Sequence, residues 1–160
     1  MPLWLWLTGG AIVTGFAGYA GFLLAKLHLQ NKRQEEMLRN AVIKRNQRLF
    51  DSIFIIAEAT KQGQCDLAEA AIRLAVLFDH VQGEWREEFA TTYPSLADLN
   101  EVVKDLPRGD DRKQLAKRDR MRQDVERMKK EAELQDSILA ELDILLAKKD
   151  TTLASLEAAL

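Results

Sequence analysis

The stretch that decides the architecture is LWLWLTGGAIVTGFAGYAGFLLA, residues 3–25, followed directly by Lys26. It holds 23 consecutive uncharged residues. As a helix it would be about 35 Å long, enough to cross a hydrocarbon core of roughly 30 Å with some tilt. A cleaved signal peptide would carry basic residues before a shorter apolar run and a small-residue cleavage site after it. Only Met1 and Pro2 precede this run, so the reading is a retained transmembrane anchor over residues 1–25. Trp4 and Trp6 stand where an interfacial aromatic belt would put them, at the upstream membrane edge.

Working outward, the other 135 of the 160 residues carry every one of the 48 charges. Lys26, Lys32, Arg33, Arg39, Lys44 and Arg45 follow the apolar run and no charge precedes it. Basic residues near a span are retained on the cytoplasmic side. The N-terminus is therefore expected outside, in the periplasm if the cell is bacterial, and residues 26–160 in the cytoplasm. There the lone Cys65 is a free thiol. Composition excludes collagen-like, disulfide-framed and multi-domain chains.

The span has small residues at helical spacing. Gly10, Thr14 and Gly18 form one i, i+4 row, and Ala17, Gly21 and Ala25 another. Such rows allow close approach of a second helix, from a partner or another copy.

Beyond the span the pattern is helical throughout. Residues 27–62 read as a long amphipathic helix, with Leu38, Val42, Leu49, Ile53 and Ile56 as its apolar positions. A turn at Gln62-Gly63-Gln64 precedes Asp66 and Glu69, a capping-box-like start to a second helix over 66–82. In Ala70 to Phe78 of that helix only Arg73 is polar. The expectation is a helix at the centre of the fold, with Arg73 in a buried ion pair to Glu69 or to Glu58. Trp85, Phe89 and Tyr93 read as aromatic anchors under a loop, and a short helix is expected over 95–105.

Residues 110–148 contain no Gly or Pro and read as one long charged helix. Met121, Val125, Met128, Ala132, Gln135, Leu139, Leu142 and Leu146 step by alternating fours and threes, a coiled-coil seam. The fold class expected is all-α: one N-terminal transmembrane helix, then an antiparallel helical bundle with a long, coiled-coil-like C-terminal helix.

Catalytic motifs are missing. There is no phosphate-binding Gly loop, nucleophile elbow, metalloprotease signature or paired Cys motif. His28 and His80 lie far apart, so neither a metal site nor a cofactor is expected. Cys65 as a nucleophile with His80 as its base is the alternative to a plain small residue at a helix entry. Arg112 to Arg122 holds six basic residues and one acidic, which could meet anionic lipid headgroups or nucleic acid. Mixed charge around it and the absence of stacking aromatics make nucleic acid the less expected partner.

The segment Ser52 to Leu74, with Ile56-Ala57-Glu58-Ala59, Gly63-Gln64-Cys65-Asp66-Leu67, Glu69 and Ile72-Arg73-Leu74, resembles an uncharacterised family of small proteobacterial proteins. These have an N-terminal membrane span and a helical domain of unknown function. The resemblance implies a Gram-negative inner-membrane location and transfers no site residue. The function expected is a non-enzymatic scaffold or adaptor at the lipid bilayer, acting through helix–helix contacts with a protein partner or with itself. The alternatives are a ligand- or redox-responsive domain around Cys65 and Arg73, or an electrostatic binder using Arg112 to Arg122.

Overall fold

A computed structural model describes residues 2–107 and 109–160, with side chains at all of these except residues 3–6, 8 and 109–111. The chain is 86% helical, with no strand among the described residues. The helices are α1 (Leu3–Lys61), α2 (Leu67–His80), α3 (Phe89–Thr92), α4 (Pro94–Val103), α5 (Gly109–Gln114), α6 (Lys117–Ala147) and α7 (Lys149–Ala158). Two compact units divide the chain, Met1–Ala41 and Val42–Leu160. In the first unit α1 is exposed along its described length. It includes an 18-residue window of mean hydropathy at least 1.2 with at most two charges, apolar enough to cross a membrane. The side chains of Trp4 and Trp6, expected at a membrane edge, lie outside the described residues.

The second unit begins on the face of α1 that carries Ile43, Asn46, Phe50, Ile53, Phe54, Ala57 and Thr60, all buried. Of the face expected, Ile53 is buried and Leu49 and Ile56 pack against the core from its edge, while Leu38 is exposed, so the buried arc is displaced around the helix. The reason is Asn46, a polar residue in the middle of the inward arc. Its Nδ2 donates to Gln82 O at 2.7 Å and its Oδ1 accepts from Gln82 N at 3.2 Å, so both of its polar atoms are matched as burial requires.

Helix α1 ends at a left-handed glycine, Gly63, with φ +71°. Gln64 N donates to Ala59 O and Gly63 N to Thr60 O, the paired bonds of a Schellman terminus, for which glycine avoids the Cβ penalty. The chain then reverses into α2.

Four helices alternate in direction. Glu58 and Lys61 of α1 meet Lys149 and Asp143 respectively, so α1 runs against α6. Ser95 at the start of α4 meets Glu141, while Val103 near its end shares a cleft with Arg127 and with Ala68 at the start of α2. Helix α4 is therefore antiparallel to both α2 and α6. Leu74, Phe78, Leu96, Leu99, Ile138, Leu142, Leu145 and Leu156 fill the space between these helices. Each such side chain contributes about 1.5–3 kcal/mol on burial.

The aromatic segment packs inward. Phe78, Phe89 and Tyr93 have ring centroids 5.3–5.9 Å apart, and Trp85 Nε1 donates to Ser155 Oγ at 2.9 Å. That bond, with buried Leu156, secures α7 to the bundle.

Two expectations are corrected here. The helix expected over 110–148 is interrupted at Leu115–Ala116, where Ala116 takes an extended conformation, ψ 144°. The interruption turns α5 back beside α6, so that Arg112 Nη2 lies 2.6 Å from both carboxylate oxygens of Asp124. In an unbroken helix these residues would stand about 18 Å apart along the axis. The seam is also divided. Leu142 is fully buried and Leu139 and Leu146 pack against the core. By contrast, Met121, Val125 and Met128 are 60%, 59% and 61% exposed, and Ala132 is exposed.

Candidate functional site

Arg73 is not buried. Its Nε lies 2.5 Å from Glu69 Oε1, and the two side chains are 58% and 44% exposed. Because Ala70, Ala71, Leu74 and Phe78 take the inner face of α2, Arg73 falls on its outer edge. Glu58 is 3.9 Å from Lys149 instead. The ion pair expected to fix helix docking is an exposed pair within one helix, of a kind that contributes about 0.2–0.5 kcal/mol.

Cys65 and His80 stand at opposite ends of α2, about 20 Å apart at 1.5 Å per residue, so His80 cannot serve the thiol as a base. The Cys65 sulfur contacts Asp66 O at 3.6 Å, and His80 Nδ1 faces Val76 O at 2.7 Å. Among the described residues no group of three His, Cys, Asp or Glu is placed to hold a metal.

Of the small-residue rows in α1, Gly10, Gly18 and Gly21 have open space where a Cβ would be. Thr14 Oγ1 donates to Gly10 O at 2.7 Å, so its hydroxyl is satisfied within the helix as an apolar setting demands. Ala17 and Gly21 are exposed.

Sequence reasoning missed the polar contacts that orient the bundle. Glu141, 8% exposed on α6, accepts from Ser95 N at 2.7 Å and Leu96 N at 3.0 Å. Pro94 at the first turn of α4 has no N–H to satisfy, so this one carboxylate caps the helix from across the core. Beside it Glu87 accepts from Lys148 Nζ at 3.0 Å and from the Tyr93 hydroxyl at 3.4 Å. Burial, then the charge of Glu87, pushes the Tyr93 phenol far above its ordinary value. These contacts hold helices together and leave no reactive group open.

A cleft of about 230 Å³ lies between α2, α4, α5 and α6, lined by Ile72, Val103, Leu106, Arg112, Asp124 and Arg127. It is below the usual size of a ligand pocket, and its charges are largely matched to each other through Arg112–Asp124. Arg127 Nε, 3.9 Å from Glu131, has no hydrogen-bond partner among the described residues.

A further feature is the uncovered face of α6. Met121, Val125 and Met128 form one row, with Lys117 and Arg120 along one side and Arg118 and Arg122 along the other. The doubling-back of α5 brings Arg112 and Lys113 to the first side.

The family model for proteins of unknown function DUF2489 matches residues 13–145. The chain belongs to this family. An uncharacterized protein of Haemophilus influenzae is 42% identical over 135 residues, covering 84% of this chain and 86% of its own. No solved structure matches. The resemblance read from Ser52 to Leu74 is thus to an uncharacterised proteobacterial family, DUF2489. The DUF2489 match takes in both halves of α6 up to Leu145, the Glu141 cap and the exposed row.

Proposed function

We propose that the protein is a membrane-anchored, non-enzymatic scaffold or adaptor that works through exposed helix faces. The observation that carries this reading is the row Met121, Val125 and Met128, left uncovered on a helix whose other half is buried in the core. Apolar side chains that a chain does not cover itself mark contact surfaces when they are contiguous. In this reading α1 anchors the chain in the bacterial inner membrane with the N-terminus periplasmic, and the bundle is cytoplasmic. The small-residue rows of α1 serve helix–helix contact within the bilayer.

The ligand- or redox-responsive alternative is not favoured. Arg73 stands in solvent beside Glu69, and His80 is at the far end of α2 from Cys65.

Site-specific photo-crosslinking in native membranes tests the scaffold reading. A crosslinking side chain is placed in turn at Gly18, at exposed Ile55 and Val76, and at Val125. A discrete protein adduct from any of these positions, with loss of membrane fractionation on removal of residues 1–25, is the expected outcome. Adducts from none of them, with a monomer in gentle detergent extracts, would end the reading.

A further inference from the structure

The exposed face of α6 has a charge pattern that selects among the surfaces able to cover it. Residues 112–130 carry nine Lys and Arg against three Asp and Glu, a net +6 in a chain whose total is -2. On a helix of 3.6 residues per turn, Lys117 borders the Met121–Val125–Met128 row on one side and Arg118, Arg122 and Lys129 on the other. Asp119 and Glu126 fall on the far side of the helix. Asp124 and Glu131 are the acidic residues at the edge of the row; Arg112 neutralises Asp124 at 2.6 Å and Arg127 lies 3.9 Å from Glu131. An apolar row bordered mainly by cations, with its anions either turned away or facing an arginine, is the pattern of a helix lying in a membrane interface.

We infer that this face of α6 docks on an anionic lipid surface, with Met121, Val125 and Met128 entering the headgroup layer and the bordering Lys and Arg meeting lipid phosphates. The inference rests on the reading of α6 as a contact surface and names what covers it. A second copy fits less well. Parallel pairing along the seam would set Lys117 against Arg122 and Glu131 against Asp136, like charges, with opposite charges only at Asp124 against Lys129, where Arg112 already holds the carboxylate. Nucleic acid fits less well too, since the face offers no aromatic ring on which a base could stack.

The test uses the full chain with Cys65→Ser and Val125→Cys, labelled at Cys with an environment-sensitive fluorophore. It is reconstituted in phosphatidylcholine vesicles with and without phosphatidylglycerol. A second label, at exposed Asp98→Cys on α4, serves as reference. The expected result is a blue shift at position 125, quenched by spin-labelled lipid, in the anionic vesicles alone. It fades as salt rises from about 0.1 to 1 M and the screening length falls from about 10 to 3 Å. Lys117→Gln, Arg118→Gln and Arg122→Gln together weaken docking on the order of 100-fold, about fivefold for each charge near an anionic surface. Helicity by circular dichroism checks that this variant is folded.

Equal shifts in neutral and anionic vesicles would overturn the inference, as would a buried label that lipid-borne quencher does not reach. A shift produced by RNA in neutral vesicles would also overturn it. Protein adducts elsewhere on the chain with no lipid quenching at position 125 leave the scaffold reading intact and remove this one. Lipid quenching with no protein adduct does the reverse.

Discussion

Replacing Glu141 with Leu asks whether one carboxylate on α6 sets the position of α4. The side chain is 8% exposed, and its two oxygens accept the N–H groups of Ser95 and Leu96 at 2.7 and 3.0 Å. A hydrogen bond to a charged group contributes about 1.5–3 kcal/mol. Two of them, at a helix N-terminus that favours negative charge, sum to roughly 3–5 kcal/mol. Leu returns about 1 kcal/mol of apolar burial at this site, leaving a net loss of about 2–4 kcal/mol. For a unit of this size that lowers Tm by roughly 10–15 °C. Glu141→Gln keeps one carbonyl acceptor and the shape but loses the charge, so about half of the loss is expected. Urea denaturation of the full chain, followed by circular dichroism, measures both. If Glu141→Leu stays within about 0.5 kcal/mol of the unmodified protein, the cap contributes nothing and the position of α4 is set by packing alone.

Three further outcomes follow from the same structure. Tyr93 has its phenol pKa raised by burial and by Glu87, so folding stability should be flat through neutrality. It should fall as pH rises above the unfolded value of about 10, because there only the unfolded chain ionises freely; Tyr93→Phe should lose that alkaline slope in pH-dependent melts. Arg73→Ala should cost about 0.2–0.5 kcal/mol, as an exposed i, i+4 pair does; a loss of several kcal/mol in a denaturant titration would instead restore a buried pair. Leu142→Ala should cost about 2–5 kcal/mol and Val125→Ala under about 0.5 kcal/mol, although both lie on one sequence seam; equal losses by the same titration would mean that the seam is buried along its whole length.

What could be read from sequence was what local chemistry determines. The turn at Gly63 follows from a backbone constraint at one residue, and the short helix expected from Ser95 begins one residue earlier, at Pro94, whose missing N–H suits a first turn. The charge boundary at Lys26 needs no tertiary knowledge either. What was misread depended on residues distant in sequence. Asn46 counts against its own face of α1 unless Gln82 is known to meet it. Arg73 looked enclosed because its sequence neighbours are apolar, yet helical periodicity turns those neighbours inward and Arg73 outward. No Gly or Pro announces the break at Leu115–Ala116; it accompanies a contact between Arg112 and Asp124, which only the folded chain brings together. Glu141 reads as an ordinary charge on a charged helix until α4 is laid against it.

The division of α6 has a cause in the lengths of its neighbours. Helix α4 has 10 residues and α6 has 31, about 15 Å against 46 Å at 1.5 Å per residue. The start of α4 meets Glu141 and its far end faces Gln123, Asp124 and Arg127, so the turns of α6 before Gln123 pass beyond α4, while Val125 and Met128 stand on a side of α6 turned away from it. Along those turns the core that orders Ile138, Leu142 and Leu145 is no longer available. Pairs such as Lys130–Glu133 at 3.2 Å support the solvent side of α6, but each contributes only a few tenths of a kcal/mol. An isolated helical extension gains nothing from Met121, Val125 and Met128, which polar residues could replace without cost to the bundle. Their placement in one exposed row, continuous with the buried positions further along α6, is the observation on which the contact-surface reading rests.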